Sequence, residues 1–531
     1  MSIQPEKAMR RVLLSLLLMP IALGVAALHG CEGSSGDAGP PPLSEQNINL
    51  IFVLSPDLAY SAPDDVNPVT TNLTNQGLNR SLKMASYLKQ QVLGGRNVTG
   101  IYAVAPMTHL QTANNIPDLA SLGAIQQFAM LNQITLPTSL SLGPPQLGHS
   151  YPINVSYGPG MVLPAGVVAP FAYLPCPACQ GLDFSNSGNS NDALVAGIIS
   201  TKSTGFHVFS APWETTRAML ANINKLYGSS LTMPSGYPGP NQVYAVSITP
   251  LGRASLVTYD SNLTPETAAP VLPAALPRTA CNGPLAQPQT FSFAINVGRP
   301  YRQTLNGVTT TGTFDAALPN GISTNLTMYM IRHAEAHPSS DFDDGNFVAA
   351  GQWRALGLAD ALRGKVRPDM VMSIDPAQVS GGLLNGYLIP NTYSYVRTDM
   401  TVEPYAIANN LPFYLVSSFS LMDVYDSSNN KVPISPSVIN TTNYFFIGGN
   451  YSNKTILLAW EHDHLPPTLN DLISRYFPRG GAPVFSNTFW PTTDYDTIWT
   501  VKLDGQGNLT ADNALCEGID SANLPLTAPL F

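Results

Sequence analysis

The stretch Thr327–Pro338, TMYMIRHAEAHP, constrains this chain more than any other. Met328-Tyr329-Met330-Ile331 is apolar without helical spacing, the pattern of a strand buried on both faces of a parallel sheet. It runs straight into Arg332-His333. A buried strand that stops on those two residues delivers both side chains to its carboxyl edge, where open α/β sheets bind ligands. A guanidinium takes phosphate oxygens bidentately, and a neutral imidazole can attack phosphorus. The pair therefore points to an anion site with a nucleophile in it.

A second stretch has the same form. Thr455–Asp463, TILLAWEHD, is an apolar strand ending on His462. With both stretches in view, Arg332-His333-Ala334-Glu335 resembles the Arg-His-Gly-Glu motif of the histidine phosphatase superfamily, also called phosphoglycerate-mutase-like. His462 falls where that superfamily has its second histidine. The resemblance covers residues 323–531 and implies a nucleophile at His333, a phosphate clamp at Arg332, and stabilisation of the transferring phosphoryl group by His462.

The pair His462-Asp463 resembles the acid-phosphatase branch, in which the aspartate protonates the leaving group. Pro338 fits that branch's RHGxRxP pattern, but Ala336 replaces its second arginine, while Glu335 resembles the mutase branch. Asp463 is the first candidate for the general acid, with Glu403, Glu335 and Asp423 as alternatives. Arg397, Glu335, His464 and Glu403 are the candidates for substrate contacts. The superfamily's further arginine after its second strand, in a pattern like SPLxRAxQT, has no counterpart in Ser373–Val379. Arg397, in Tyr395-Val396-Arg397-Thr398, is the candidate for the missing charge; without it the pocket is weakly cationic.

The rest of the chain repeats this pattern in degraded form. Gly77–Leu88, GLNRSLKMASYL, matches Gly351–Leu362, GQWRALGLADAL, in its Gly, Arg, Leu, Ala and Leu. Leu82, Ala85 and Leu88 share helical spacing with Leu356, Ala359 and Leu362. Ile51–Leu54 matches Met328–Ile331, Tyr102–Pro106 matches Met370–Pro376, Gly205–Phe209 matches Ile456–Trp460, and Ala245–Gly252 matches Trp499–Gly507. Alternating strands and helices predict an α/β fold with a mostly parallel sheet. The expected architecture is a three-layer α/β/α sandwich, phosphoglycerate-mutase-like by the resemblance, present twice in tandem. Where the second copy has Arg332-His333 the first has Ser55-Pro56, and in place of His462 it has Ala211, give or take one residue. The first copy is thus expected to be non-catalytic.

The resulting division is 1–30 signal peptide, 31–45 flexible tether, 46–285 degenerate domain, 286–322 linker with a hairpin, and 323–531 catalytic domain. Residues 136–191 are an insertion in the first copy, rich in Pro, Gly and Ser. Lys7, Arg10 and Arg11 precede the apolar run Val12–Leu28, and Leu28-His29-Gly30-Cys31 resembles a bacterial lipobox whose cysteine is lipidated. An ordinary secretory signal is the alternative. Only 11% of the 531 residues are charged, while Gly (42) and Pro (47) are many, as in exported proteins. In an oxidising compartment the remaining cysteines form two disulfides, expected as Cys176–Cys179 and Cys281–Cys516. The expected location is periplasmic or at the cell surface, anchored to the outer membrane through Cys31.

A net charge of −9 argues against nucleic acid as a partner. The sequence has no HExxH, no EF-hand loop, no paired CxxC, no P-loop and no dinucleotide glycine motif, so it demands no metal and no cofactor. The expected reaction is metal-independent hydrolysis of a phosphate monoester. The competing expectation is a catalytically weak pseudo-phosphatase acting as a surface-anchored binding protein. The tandem copies are expected to form an intramolecular pseudo-dimer in a monomeric chain.

Overall fold

The computed structural model describes residues 39–531 except 61–63, 112–115, 133–149, 164–175, 228–230, 282–289, 296–300, 313–315, 338–342, 381, 385–386, 389–392, 417–422, 425–435 and 478–489. Cys31, the signal segment and Pro338 lie outside the described residues. Pro40–Phe531 forms one compact unit. Among the described residues no helix is long and apolar enough to cross a membrane.

Two mixed sheets carry the fold. The first contains β1 (Ile48–Leu54), β2 (Gly100–Ala103), β3 (Gly205–Ala211), β4 (Gln242–Ile248) and β5 (Ala254–Asp260), in the order β2-β3-β1-β4-β5. The second contains β6 (Thr290–Ile295), β7 (Tyr301–Leu305), β8 (Val308–Gly312), β9 (Leu326–Arg332), β10 (Met370–Ile374), β11 (Phe413–Val416), β12 (Thr455–Trp460), β13 (Thr497–Leu503) and β14 (Leu509–Cys516). Its order is β8-β7-β6-β14-β13-β9-β12-β10-β11. The run β10-β12-β9-β13-β14 repeats the order of the first sheet, and each pair of neighbours runs in the same relative direction.

The expectation of a mostly parallel sheet is corrected. β1, β2 and β3 are parallel, as are β9, β10, β11 and β12, but β4, β5 and β13, β14 are antiparallel to their neighbours. The reason is loop length. β13 reaches β14 through the tight turn Asp504–Asn508, where a parallel partner would need a crossover of a dozen residues. The stretch 286–322 is more than a linker, because β6, β7 and β8 extend the second sheet along β14.

Eight helices carry the labels α1 (Asn75–Tyr87), α2 (Ala120–Met130), α3 (Ser190–Ser200), α4 (Trp213–Leu226), α5 (Ala349–Ala361), α6 (Arg397–Ala408), α7 (Pro436–Phe446) and α8 (Leu465–Ser474). Thr74 caps α1 by accepting from the Gly77 amide at 3.1 Å. The glycines of the two matching helices are there for close approach. A Cβ on Gly77 would collide with the Asp65 carbonyl, and one on Gly351 would sit 2.9 Å from the Glu335 carbonyl. Helices α1 and α2 pack on α5 and α6, and one apolar cluster runs through both halves, from Leu88 and Phe128 to Leu358 and Tyr405. The described part of the 136–191 insertion also reaches the second half. Tyr157 donates to Asp375 at 2.5 Å, and Ser156 and Ser394 share a hydrogen bond of 2.8 Å. Both expected disulfides are present, Cys176–Cys179 in that insertion and Cys281–Cys516 at the end of β14.

Glu403 belongs to this packing and not to a substrate pocket, a second correction. It is buried on α6 with its carboxylate against Gly123 of α2. Burial first, and the nearby charge of Asp118 second, push its carboxyl up to about 8. A carboxyl that titrates near 4.5 when unfolded and near 8 when folded must release a proton on unfolding throughout that interval. Its contribution to stability is therefore greatest below the lower value and fades as pH rises towards the upper. Asp375, pushed up to about 6 by burial, adds to the same slope. The melting temperature should fall from pH 5 to pH 8, and Glu403→Gln should flatten that slope and raise stability at pH 8. Thermal melts across that interval check it; a wild-type curve that rises with pH would contradict the burial argument.

Candidate active site

β9 and β12 are parallel neighbours with Arg332 opposite Trp460, so the residues that follow each strand meet at one edge of the sheet. The His333 amide donates to the Trp460 carbonyl at 3.1 Å, which pins the first residue beyond β9. Its ring is fully buried, and Nδ1 lies 2.7 Å from the Ala334 carbonyl oxygen. A carbonyl can only accept, so Nδ1 carries the proton and Nε2 presents a lone pair. Among the described residues Nε2 has no hydrogen-bond partner. Burial, then the charges of Arg397, Arg332 and His462, hold the pKa well below the ordinary histidine value. The ring is held neutral, with a lone pair on Nε2.

Aromatic edges and cations surround it. The rings of His462, Tyr395 and Tyr495 stand edge-on at 6.2, 6.2 and 6.0 Å. Arg332 lies over the Tyr495 ring at 4.0 Å and donates through Nη1 to the carbonyls of Thr492 (2.6 Å) and Asp494 (3.3 Å). Arg397 lies over Tyr395 at 4.4 Å and is held by both oxygens of Asp343 at 2.7 Å. Each arginine keeps a buried Nε without a partner among the described residues. Arg397 opens α6, the helix that follows β10 once residues 379–394 are passed, so its charge acts on His333. Tyr395, Tyr495 and Asp343 were not singled out from sequence.

The segment after β12 is built on Glu461, also missed from sequence. This buried carboxylate lies 2.5 Å from His462 Nδ1, off the line of a hydrogen bond, and accepts from His464 Nδ1 at 2.8 Å. It accepts from the Asp463 amide at 2.7 Å as well. Burial alone would raise its pKa, but the two histidines outweigh burial and hold it well below the ordinary carboxylate value. The signal available in sequence was an acid at the end of an apolar strand, one residue before a histidine. The Asp463 side chain is 45% exposed, with Oδ1 3.5 Å from His462 Nε2. His464 caps the start of α8, bonded to Glu461 on that edge. The side chain of Asp423 lies outside what the structure describes.

Glu335 is corrected as a substrate contact. Arg354 of α5 grips both its oxygens, at 2.7–3.0 Å, and also bonds Glu517 at 2.5 Å. All three side chains are fully buried, so Glu335 is spent on a structural ion cluster. Arg354→Met should destabilise the chain by about 3–5 kcal/mol, because it strands buried carboxylates without their cation. Denaturant unfolding measures this, and a change under about 1 kcal/mol would mean the cluster is not what holds α5 to the chain's end.

No protein-family model matches the chain, and no curated protein does. Solved structures do. One is named for a phosphohistidine phosphatase, SixA, from Agrobacterium tumefaciens, with 18% identity, 35% of this chain and 95% of that chain covered, and a TM-score of 0.18. Another carries the same protein name, from Nakamurella multipartitia, with 15% identity, 40% and 94% covered, and a TM-score of 0.19. The functional reading rests on the geometry of the site.

The matching edge of the first sheet has the opposite charge. Leu54 pairs with Ala211 as Ile331 pairs with Ala459, so the residue in step with His462 is Glu214 and not Ala211. Asp57 follows Ser55 and Pro56, lies 3.6 Å from His109, and is joined there by Asp118 at 2.8 Å from the same ring nitrogen. His109 stacks on Phe184 at 3.6 Å. Ser55 spends its hydroxyl on Ser121. His207 is buried on β3, within 2.9 Å of the Ser203 carbonyl, as a packed residue.

Proposed function

We propose that the chain hydrolyses phosphate monoesters through a phosphohistidine at His333. One observation carries this reading: a fully buried neutral imidazole whose Nε2, without a hydrogen-bond partner among the described residues, sits in the field of Arg332 and Arg397. Nε2 attacks phosphorus and the ester P–O bond breaks. The leaving oxygen takes a proton from Asp463, the exposed acid beside His462. Water then attacks the phosphohistidine, the P–N bond to Nε2 breaks, and Asp463, now a carboxylate, takes the water's proton, giving inorganic phosphate, the free imidazole and the protonated acid. Splitting the displacement in two lowers each barrier. The two guanidiniums offset charge on the equatorial oxygens and His462 adds a third donor. No step needs a metal.

The proposal extends to the rest of the chain. The repeated strand order supports two tandem copies of one phosphoglycerate-mutase-like α/β/α sandwich, at 46–285 and 323–531, packed as an intramolecular pseudo-dimer in a monomer. The acidic edge of the first copy, with Asp57, Asp118 and Glu214, would repel phosphate, so catalysis belongs to the second. The disulfides and the lipobox-like Cys31 support an exported lipoprotein, periplasmic or at the cell surface on the outer membrane, acting on a small phosphate ester. A second reading, a pseudo-phosphatase that binds without turnover, is favoured by Glu461, a buried carboxylate beside His462 where phosphate would lie.

Turnover of an aryl phosphate and an alkyl phosphate by the wild type and Asp463→Asn separates these readings. The wild type should hydrolyse both and keep its nucleophile as pH falls past the ordinary histidine range, because burial and the neighbouring charges of Arg397, Arg332 and His462 hold the His333 pKa well below the ordinary value. Asp463→Asn should lose about 10²–10⁴-fold on the alkyl ester, whose oxygen cannot leave unprotonated. The aryl ester should lose far less. Equal losses would remove Asp463 as the acid and move Asp423 to the front; no turnover of either ester by the wild type would leave the binding-protein reading.

A further inference from the structure

We propose that His333, Glu461 and His462 together also bind a late first-row divalent cation, Zn²⁺ in particular, and that the bound ion blocks hydrolysis. One ligand atom from each of the three lies within 4.8 Å of the other two. All are at least nine-tenths buried, at 0, 8 and 9% exposure. His333 Nε2 lacks a hydrogen-bond partner among the described residues, and His462 sets Nδ1 2.5 Å from the Glu461 carboxylate and Nε2 3.5 Å from Asp463, so ring nitrogens and a carboxylate converge at the centre of the group. Two imidazoles and a carboxylate are the donor set of three-ligand zinc sites with an open fourth position.

The surroundings favour a preset ligand. The Nδ1 proton on the Ala334 carbonyl fixes the His333 ring with Nε2 outward, the kind of outer partner that metal-bound histidines use. Glu461 is tied in place by the Asp463 amide and His464. Ligands about 2.1 Å from a tetrahedral ion stand about 3.5 Å apart, a spacing that atoms lying within 4.8 Å of one another reach by small side-chain adjustments. Arg332 and Arg397 oppose a cation, and the Glu461 carboxylate offsets part of that charge. The other candidate group, Asp57, His109 and Asp118, has its donors already engaged: His109 with Asp118, and Asp57 with Gln111 and the Ala59 amide. It is the less open of the two.

Binding does not rest on the phosphatase reading; only the inhibition does, since a lone pair held by zinc cannot attack phosphorus. The test is calorimetric titration of the full chain with Zn²⁺ in chelator-treated, phosphate-free buffer, alongside hydrolysis of an aryl phosphate with and without Zn²⁺. Tight binding of one ion per chain is expected, weakened about 100-fold in Glu461→Gln and in His462→Asn, at the upper end of what loss of even an outer partner produces. Circular dichroism verifies that each variant folds, and the second stands in if the first does not. His109→Asn should bind as the wild type does. Absence of binding, affinity unchanged in both site variants, or loss only in His109→Asn would overturn the proposal. Zinc that binds in a Glu461-dependent way while turnover continues would overturn its inhibitory half. Glu461-dependent binding to a chain that never hydrolyses an ester would uphold the metal site and sink the phosphatase reading instead.

Discussion

Replacing His333 by alanine should lower ester hydrolysis by about 10⁵-fold or more, the scale on which enzymes lose a covalent nucleophile. The rate falls this far because the other imidazoles described on this edge are already engaged, His464 with Glu461 among them. His462 is the nearest second imidazole, but its Nδ1 lies against Glu461 and its Nε2 faces Asp463. The first half offers no substitute, since Ser55 is bonded to Ser121 and Pro56 has no nucleophile. The variant should stay folded. The imidazole makes one internal hydrogen bond through Nδ1, and losing such a bond costs about 1 kcal/mol. Steady-state rates at pH 6 with equal melting curves for both proteins make the measurement. Wild-type turnover by the variant would end the phosphohistidine mechanism at His333.

Arg397→Ala should have the second largest effect, a fall of about 10³-fold in turnover, at the lower end of what a transition-state arginine contributes to phosphoryl transfer. Its guanidinium is oriented on both sides, by Asp343 at 2.7 Å and by the Tyr395 ring at 4.4 Å. Its Nε has no hydrogen-bond partner among the described residues, which leaves it for a ligand oxygen. Arg332, with His462, would then face the developing charge without its partner guanidinium. Arg397 also depresses the His333 pKa, second only to burial, so its removal should shift the acid limb of the rate profile upward. Rates from pH 4 to 8 read both effects. A variant with unchanged rate and unchanged profile would show that Arg397 serves Asp343 alone.

How much of this was legible before folding depends on the range over which each feature is decided. β1, β3, β9 and β12 were readable because a buried strand must be apolar along its length whatever surrounds it. The matching helices were readable from helical spacing, and their glycines from position alone, although only the structure shows the Asp65 and Glu335 carbonyls that require them. The arrival of Arg332, His333 and His462 at one sheet edge followed from strand ends, since parallel neighbours bring their carboxyl ends together. The even cysteine count led to the right pairs.

The sequence by itself therefore determined the local elements, the strand-end residues and the cysteine pairs, all matters of chain periodicity and covalent neighbourhood. Tertiary structure decided the rest, because charge partners are chosen in space. Glu335 reads as an active-site acid until Arg354, on a different element, takes both its oxygens. Glu403 reads as a substrate contact until α6 lays it against Gly123 of the other half. Glu461 was an unremarked residue in an apolar stretch until burial set it between two histidines. A buried carboxylate is costly unless something pairs with it, and which residue does so depends on how the sheets and helices pack, not on the order of the chain.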